Sequence, residues 1–261
     1  PTNCRAQRCV SQSGSVADSA AALHTTVQSR LVCDTVESTH RRLRNQSGAT
    51  GVVMNTIAFA ALLAALSQTF QPPSPNIAKG APYTLQPAPN YGYCTEAGDA
   101  TQLTDGVLTT DYFWTQASTV GWQNSRPVTI VIDLGADKPI RGVSYTTAAG
   151  AAGVYWPGSI QLFAGDDAKQ FHWLGDLVTL SARKGAAPLG EYALHRFWTD
   201  ELKAHGRYLA LAVLAEPFTF VDEIEVYEGD AAWLSSPIPG DAIDDIVAFT
   251  TRLSMRVAVQ R

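Results

Sequence analysis

Three sets of residues in this chain are of types that could do chemistry. The first is acidic. Leu103-Thr104-Asp105-Gly106 places a lone carboxylate in a turn, and the distant run from Phe218 to Gly229 (FTFVDEIEVYEG) carries Asp222, Glu223 and Glu225 among Val221, Ile224 and Val226. Carboxylates from a turn and a late strand, joined by backbone carbonyls, form a hard-oxygen set suited to calcium. The same residues equally suit a turn former and a half-buried strand with solvated acids, since Asp-Gly is an ordinary turn signal. The second set is aromatic. Tyr91, Tyr93, Trp122, Tyr155 and Trp156 fall in stretches rich in Gly, Pro and Asn, with Asn124 and Arg126 beside Trp122. Rings of this kind stack on the C–H faces of sugars while Arg and Asn bond the hydroxyls. Taken singly, each ring suits loop packing or a core edge better. The third set, Ser159, His195 and Asp222, has the residue types of a nucleophilic triad but no G-x-S-x-G elbow, so catalysis is not expected. His172 and His195 sit beside Trp173 and near Phe197 with no second metal ligand at useful spacing.

The elements that must position these residues are strands. Alternation is plain in Thr129-Ile130-Val131-Ile132-Asp133-Leu134 and in Arg207-Tyr208-Leu209-Ala210-Leu211-Ala212-Val213. Strands are predicted over Pro82–Gln86, Val128–Leu134, Ile140–Thr147, Ser159–Ala164, His172–Leu180, Glu191–Phe197, Tyr208–Leu214 and Phe218–Tyr227. Gly135-Ala136-Asp137, Gly165-Asp166-Asp167 and Ala204-His205-Gly206 read as the turns between them. Many short strands and few helical stretches predict an all-β antiparallel sandwich or barrel. After Pro237 and Pro239 the period changes. Asp241 could cap a helix whose Ile243, Ile246, Val247, Thr250, Leu253 and Val257 share one face. That stripe either packs back on the sandwich or, the favoured reading, begins a further domain.

The chain of 261 residues is 46% hydrophobic and 16% charged, enough to pack a core. Net charge is -5, yet residues before Met54 carry six Arg against three acids, leaving -8 for the body. An acidic body without a basic cluster argues against a nucleic-acid partner, and against a membrane-surface binder too. Residues 1–53 are Ser-, Thr- and Arg-rich without a period, and read as disordered or as an over-extended start. Ile57 to Leu66 (IAFAALLAAL) after Met54 has the length of a signal-peptide hydrophobic region, with Ala65-Leu66-Ser67 as a cleavage site, and residues 68–75 read as a Pro-rich linker. Three of the four cysteines precede Met54, which leaves Cys94 alone in the body and rules out a disulfide there.

NIAKGAPYTL, LTDGVLTTDYFW, VTIVIDLGADKPIRGVSY, GVYWPGSIQLFAGDDAKQFHWLGDL, GRYLALAVL and VDEIEVYEG occur in this order over roughly residues 74–229. Together they resemble the discoidin-like (coagulation factor 5/8 type C) domains and the related family 32 carbohydrate-binding modules. The resemblance implies a galactose-binding-like jelly-roll β-sandwich over residues 76–230. It also implies a structural calcium ion held by Asp105, Glu223 and nearby carbonyls, with Thr110 a contributor, and Trp114 as a core aromatic. The Cys pair that clamps the ends of animal discoidin domains is absent, which favours a bacterial exported protein.

The expectation is therefore a non-catalytic, calcium-stabilised carbohydrate-binding module in a secreted, periplasmic or cell-surface protein. It would tether an attached domain, such as a downstream catalytic domain of a longer chain, to a glycan. Tyr91, Tyr93, Trp122, Asn124, Arg126, Tyr155 and Trp156 are the candidate sugar contacts. A protein-interaction or adhesion module, or a structural spacer, is the alternative.

Overall fold

A long strand with an apolar residue at every second position can serve two sheets if it bends between them, and this chain is built around one. The computed structural model describes residues 70–259; the readings of residues 1–69 lie outside that range. Strand β3, Val128–Ala149, runs for 22 residues. Its first half pairs with β1 (Tyr83–Gln86) on one side and β7 (Ala204–Leu214) on the other, Ile132 facing both Tyr83 and Leu209. The register slips between Asp133 and Lys138. Beyond the slip, β3 pairs with β6 (Ala193–Thr199) and β9 (Ile224–Glu228), Tyr145 facing Phe197 and Ile224. The first layer continues from β7 to β4 (Ser159–Gly165), β5 (Phe171–Asp176) and the short β10 (Ala242–Ile243). A ribbon of β2 (Val120–Gln123) and β8 (Phe218–Val221) lies beside the second. The expected all-β jelly-roll sandwich is what the chain forms.

Alternation decides which side chains fill the space between layers. Leu209, Leu211 and Val213 of β7, Ile160 and Leu162 of β4, Ile130 and Ile132 of β3, and Ile224 and Val226 of β9 are all fully buried in one cluster. Each such side chain contributes about 1.5–3 kcal/mol through removal from water. The intervening residues Val131, Phe163, Ala210 and Ala212 face outward, where Ile243, Ile246 and Phe249 cover them. The C-terminal helix α2 (Ile246–Val259) thus packs on the outer face of the first layer, with Phe249 set against Phe163 and Trp173 at 5.8 and 5.6 Å between ring centroids. Val247, expected on the buried stripe, is 41% exposed. The cap is Asp245, not Asp241: its Oδ1 accepts the Ala248 N–H at 2.8 Å, and Asp241 instead precedes β10.

Other elements depart from the sequence reading for local reasons. The strand expected over His172–Leu180 stops at Asp176, whose Oδ1 accepts from Ile160 and Val178 and caps the five-residue helix α1 (Leu177–Ser181). The run Phe218–Tyr227 breaks at Asp222-Glu223 into β8 and β9. His205, read as a turn residue, lies within β7. Ser74 and Pro75, at the end of the expected linker, are bonded to Glu228 of β9 at 2.7 and 3.0 Å. Cys94 is free and buried. Among the described residues no helix is long and apolar enough to cross a membrane.

Candidate functional site

The break between β8 and β9 brings the two acidic segments together. Thr104 Oγ1 donates to the Ala81 carbonyl and the Gly80 N–H to the Thr104 carbonyl, which hold the following turn against the sheet. Gly106 takes a left-handed φ of +84°, costly for a residue with a Cβ. Its N–H donates to Glu223 Oε2 at 3.1 Å, and the Thr109 N–H donates to Asp222 Oδ2 at 2.7 Å. Asp222 and Glu223 are almost wholly buried, and Asp222 Oδ1 and Glu223 Oε1 have no hydrogen-bond partner among the described residues. Burial pushes the Glu223 carboxyl up to about 8, with like charge from Asp105, Glu225 and Asp222 adding to the shift. Asp222 rises to about 6, again chiefly by burial. An orphaned, buried carboxylate oxygen on each of two successive residues is costly unless a cation or a proton compensates it. The donor set therefore fits the calcium ion implied by the sequence.

Glu223 reaches the turn that carries Asp105 through the Gly106 N–H. Asp105 itself is exposed and its Oδ1 accepts the Val107 N–H at 2.7 Å. Thr110 is exposed, and the contact to the acidic corner is made by Thr109. Asp222, which the resemblance does not name as a calcium contact, stands next to Glu223 in the chain. Its acid type and position were visible; its unpartnered buried oxygen was not.

The aromatic residues do not form one set. Tyr91 packs edge-on to Phe220 at 4.9 Å and tilted on Tyr93 at 5.6 Å. Trp114 joins this cluster through Phe220 and Tyr192 and is buried, as expected of a core aromatic. Asn90 ties the Tyr91 loop to the next turn, its Oδ1 accepting the Gln123 N–H at 2.7 Å and its Nδ2 donating to the Gln123 carbonyl. That turn carries Asn124, at φ 52°, and Arg126, which is paired with Glu216 at 3.1 Å. Trp122 departs from expectation. It is fully buried in β2, with its indole N–H donating to the Pro87 carbonyl at 2.8 Å. A ring without exposed surface packs the core and has no face for a sugar.

Trp156 packs on the same buried cluster as Tyr91, with Tyr155 beside it in the chain. Tyr155 is 66% exposed, and the Trp156 indole N–H is fixed by the Pro188 carbonyl at 2.7 Å. Gly150 enables this loop: a Cβ there would collide with the Glu191 carbonyl, and φ is +93°. The loop after Gly150 and the segment Pro188–Gly190 wall a depression of about 440 Å³, with Tyr155, Trp156 and Leu189 on its lining. Ser159, His195 and Asp222 do not assemble: Ser159 Oγ accepts from Gln161, His195 packs edge-on to Phe197 at 4.6 Å, and Asp222 accepts from Thr109. His172 Nδ1 lies 3.2 Å from the Gly240 carbonyl.

No family model and no curated protein matches the chain. Solved structures do. A family 32 carbohydrate-binding module of Clostridium perfringens is 15% identical, covering 59% of this chain and 100% of its own, with a TM-score of 0.39. A fucose-binding module of Streptococcus pneumoniae is 17% identical over 62% of this chain and 100% of its own, with a TM-score of 0.40. The lectin domain of lectinolysin, solved with Lewis B antigen, is 18% identical over 60% and 98%, with a TM-score of 0.42.

Proposed function

We propose that the β-sandwich is a non-catalytic carbohydrate-binding module of an exported, bacterial protein, tethering an attached domain to a glycan. The observation that carries this reading is the depression beside Gly150, where an exposed Tyr155 and a Trp156 locked by Pro188 offer ring faces to a ligand. Stacking of sugar C–H faces on such rings is favourable and sequence-tolerant, and backbone groups of the two loops supply the polar partners. A calcium ion at the acidic corner, held by the free oxygens of Asp222 and Glu223 with Asp105 and Thr110 nearby, would fix the turn to the last strand. Its role there is to hold structure, with no part in chemistry.

A protein-interaction or adhesion module is the second reading. It is favoured by the lining of the depression, which has no charged side chain, and by Leu189 at 93% exposure. A glycan array with wild type, Tyr155→Ala and Trp156→Ala separates the two. Selective binding that both variants lose supports the sugar reading. Silence of the wild type across the array would overturn it in favour of the second.

A further inference from the structure

Away from both regions, three segments converge on one buried histidine. His205, near the start of β7, is 6% exposed. Its Nε2 lies 2.8 Å from the Ser236 carbonyl, in the segment after β9, and its Nδ1 lies 2.9 Å from Asp137 Oδ1, at the register slip of β3. Asp166, in the turn between β4 and β5, adds a second carboxylate, and one donor atom from each of the three residues lies within 4.8 Å of the others. Both ring nitrogens therefore face oxygen acceptors. A neutral imidazole has a single N–H and can satisfy only one of them. The pocket is built for a positive charge at Nδ1, and either a proton or a metal ion can provide it.

We propose that His205, Asp137 and Asp166 form a site for a divalent cation of the zinc class. The Ser236 carbonyl receives Nε2–H and so fixes the tautomer that leaves the Nδ1 lone pair toward the two carboxylates. This is the outer support that metal-bound histidines commonly have. One imidazole and two carboxylates leave a position for water or a further ligand. An imidazole donor favours zinc, cobalt or nickel over calcium, which separates this site from the oxygen-only corner at Asp222 and Glu223. Asp137 and Asp166 are both exposed, so the ion has a route in and the carboxylates have room to close around it. On binding, the ion takes the place of the Nδ1 proton, which leaves to solvent. It then ties the β3 bend, the β4–β5 turn and the segment ending at Ser236, just before Pro237, into one clasp.

The test is titration of the metal-stripped full chain with Zn²⁺ by calorimetry and with Co²⁺ by visible absorption, using wild type, Asp137→Asn, Asp166→Asn, His205→Gln and the surface control Asp244→Asn. Zn²⁺ affinity should fall about tenfold or more in each of the three site variants and stay unchanged in the control. Co²⁺ should develop ligand-field absorption in wild type that Zn²⁺ bleaches and Ca²⁺ does not. Proton release should accompany the bound ion. Cys4, Cys9 and Cys33 carry thiols that can also take zinc, so the variants decide. Wild type that takes up no ion, or Asp137→Asn and Asp166→Asn that bind as tightly as wild type, overturns the proposal. If His205→Gln does not fold, the variants of the two exposed aspartates still decide the question.

Discussion

Trp122 and Tyr155 are both large aromatics in Gly-rich surroundings, and their environments assign them opposite parts. Trp122→Ala would open a cavity in the ribbon between β2 and β8 and strand the Pro87 carbonyl, at a cost of about 3–5 kcal/mol. Tyr155→Ala should change stability by no more than about 0.5 kcal/mol while removing a ring from the depression. Urea denaturation run beside glycan binding checks the pair; a Tyr155 variant as unstable as the Trp122 variant would place Tyr155 in the core and end its recognition role. The acidic corner makes a prediction about pH. Without a cation, native Glu223 keeps its proton up to about 8, whereas the unfolded chain releases it near 4.5; for Asp222 the limits are about 6 and 3.8. The native state binds more protons between these limits, so this contribution to stability is full below the unfolded values and is lost as pH rises through the folded ones. Bound calcium removes that loss. The gain in Tm from calcium over chelator should be larger near pH 8 than near pH 5, and equal gains, or none, would show that no ion joins the two orphaned oxygens.

At the scale of elements, helix α2 covers a face that would otherwise be apolar surface. Phe163 and the outward alanines of β7 form a shallow floor, and Phe249 is the ring that reaches it. Phe249→Ala should cost about 2 kcal/mol and raise binding of a hydrophobic dye; no change in either would mean that the helix merely rests against the sheet. This contact also marks where sequence reading succeeded and where it stopped. The two-residue period of β3 and β7 announced strands, and local alternation is sufficient for that. The period of α2 announced a helix but not its partner, which is fixed by side chains far earlier in the chain. Strand β2 escaped notice because Val120-Gly121-Trp122-Gln123 is short and holds a glycine; its pairing with β8 is what buries Trp122. The run from Phe218 to Tyr227 kept its alternation on paper. Its actual break at Asp222-Glu223 is imposed by amides of the Gly106–Thr109 turn, more than a hundred residues away in the chain. The meeting of the two acidic segments was legible through the order of motifs. The unpartnered oxygens were not, because they depend on what fails to reach them.

Across the whole molecule, the acidic corner and the aromatic depression are joined by a short series of contacts. Asp222 holds the Thr109 amide; from there the chain runs to Asp111 and Phe113, whose carbonyl and N–H respectively bond the Tyr192 hydroxyl, at 3.3 and 3.1 Å. Glu191, the neighbour of Tyr192, has the carbonyl against which Gly150 packs at the base of the depression. If calcium fixes the corner, it should also narrow the conformations of the loop that carries Tyr155. Two sites coupled in this way affect each other's affinity by the same factor. Chelation is expected to weaken glycan binding about fivefold, and saturating glycan to tighten calcium by a matching amount, both measured by calorimetry. Tyr192→Phe removes the hydroxyl that bridges the two halves of the connection and should shrink both effects together while leaving calcium binding in place. Glycan affinity that ignores calcium, in a protein that binds both, would leave the two sites as independent tenants of one sandwich.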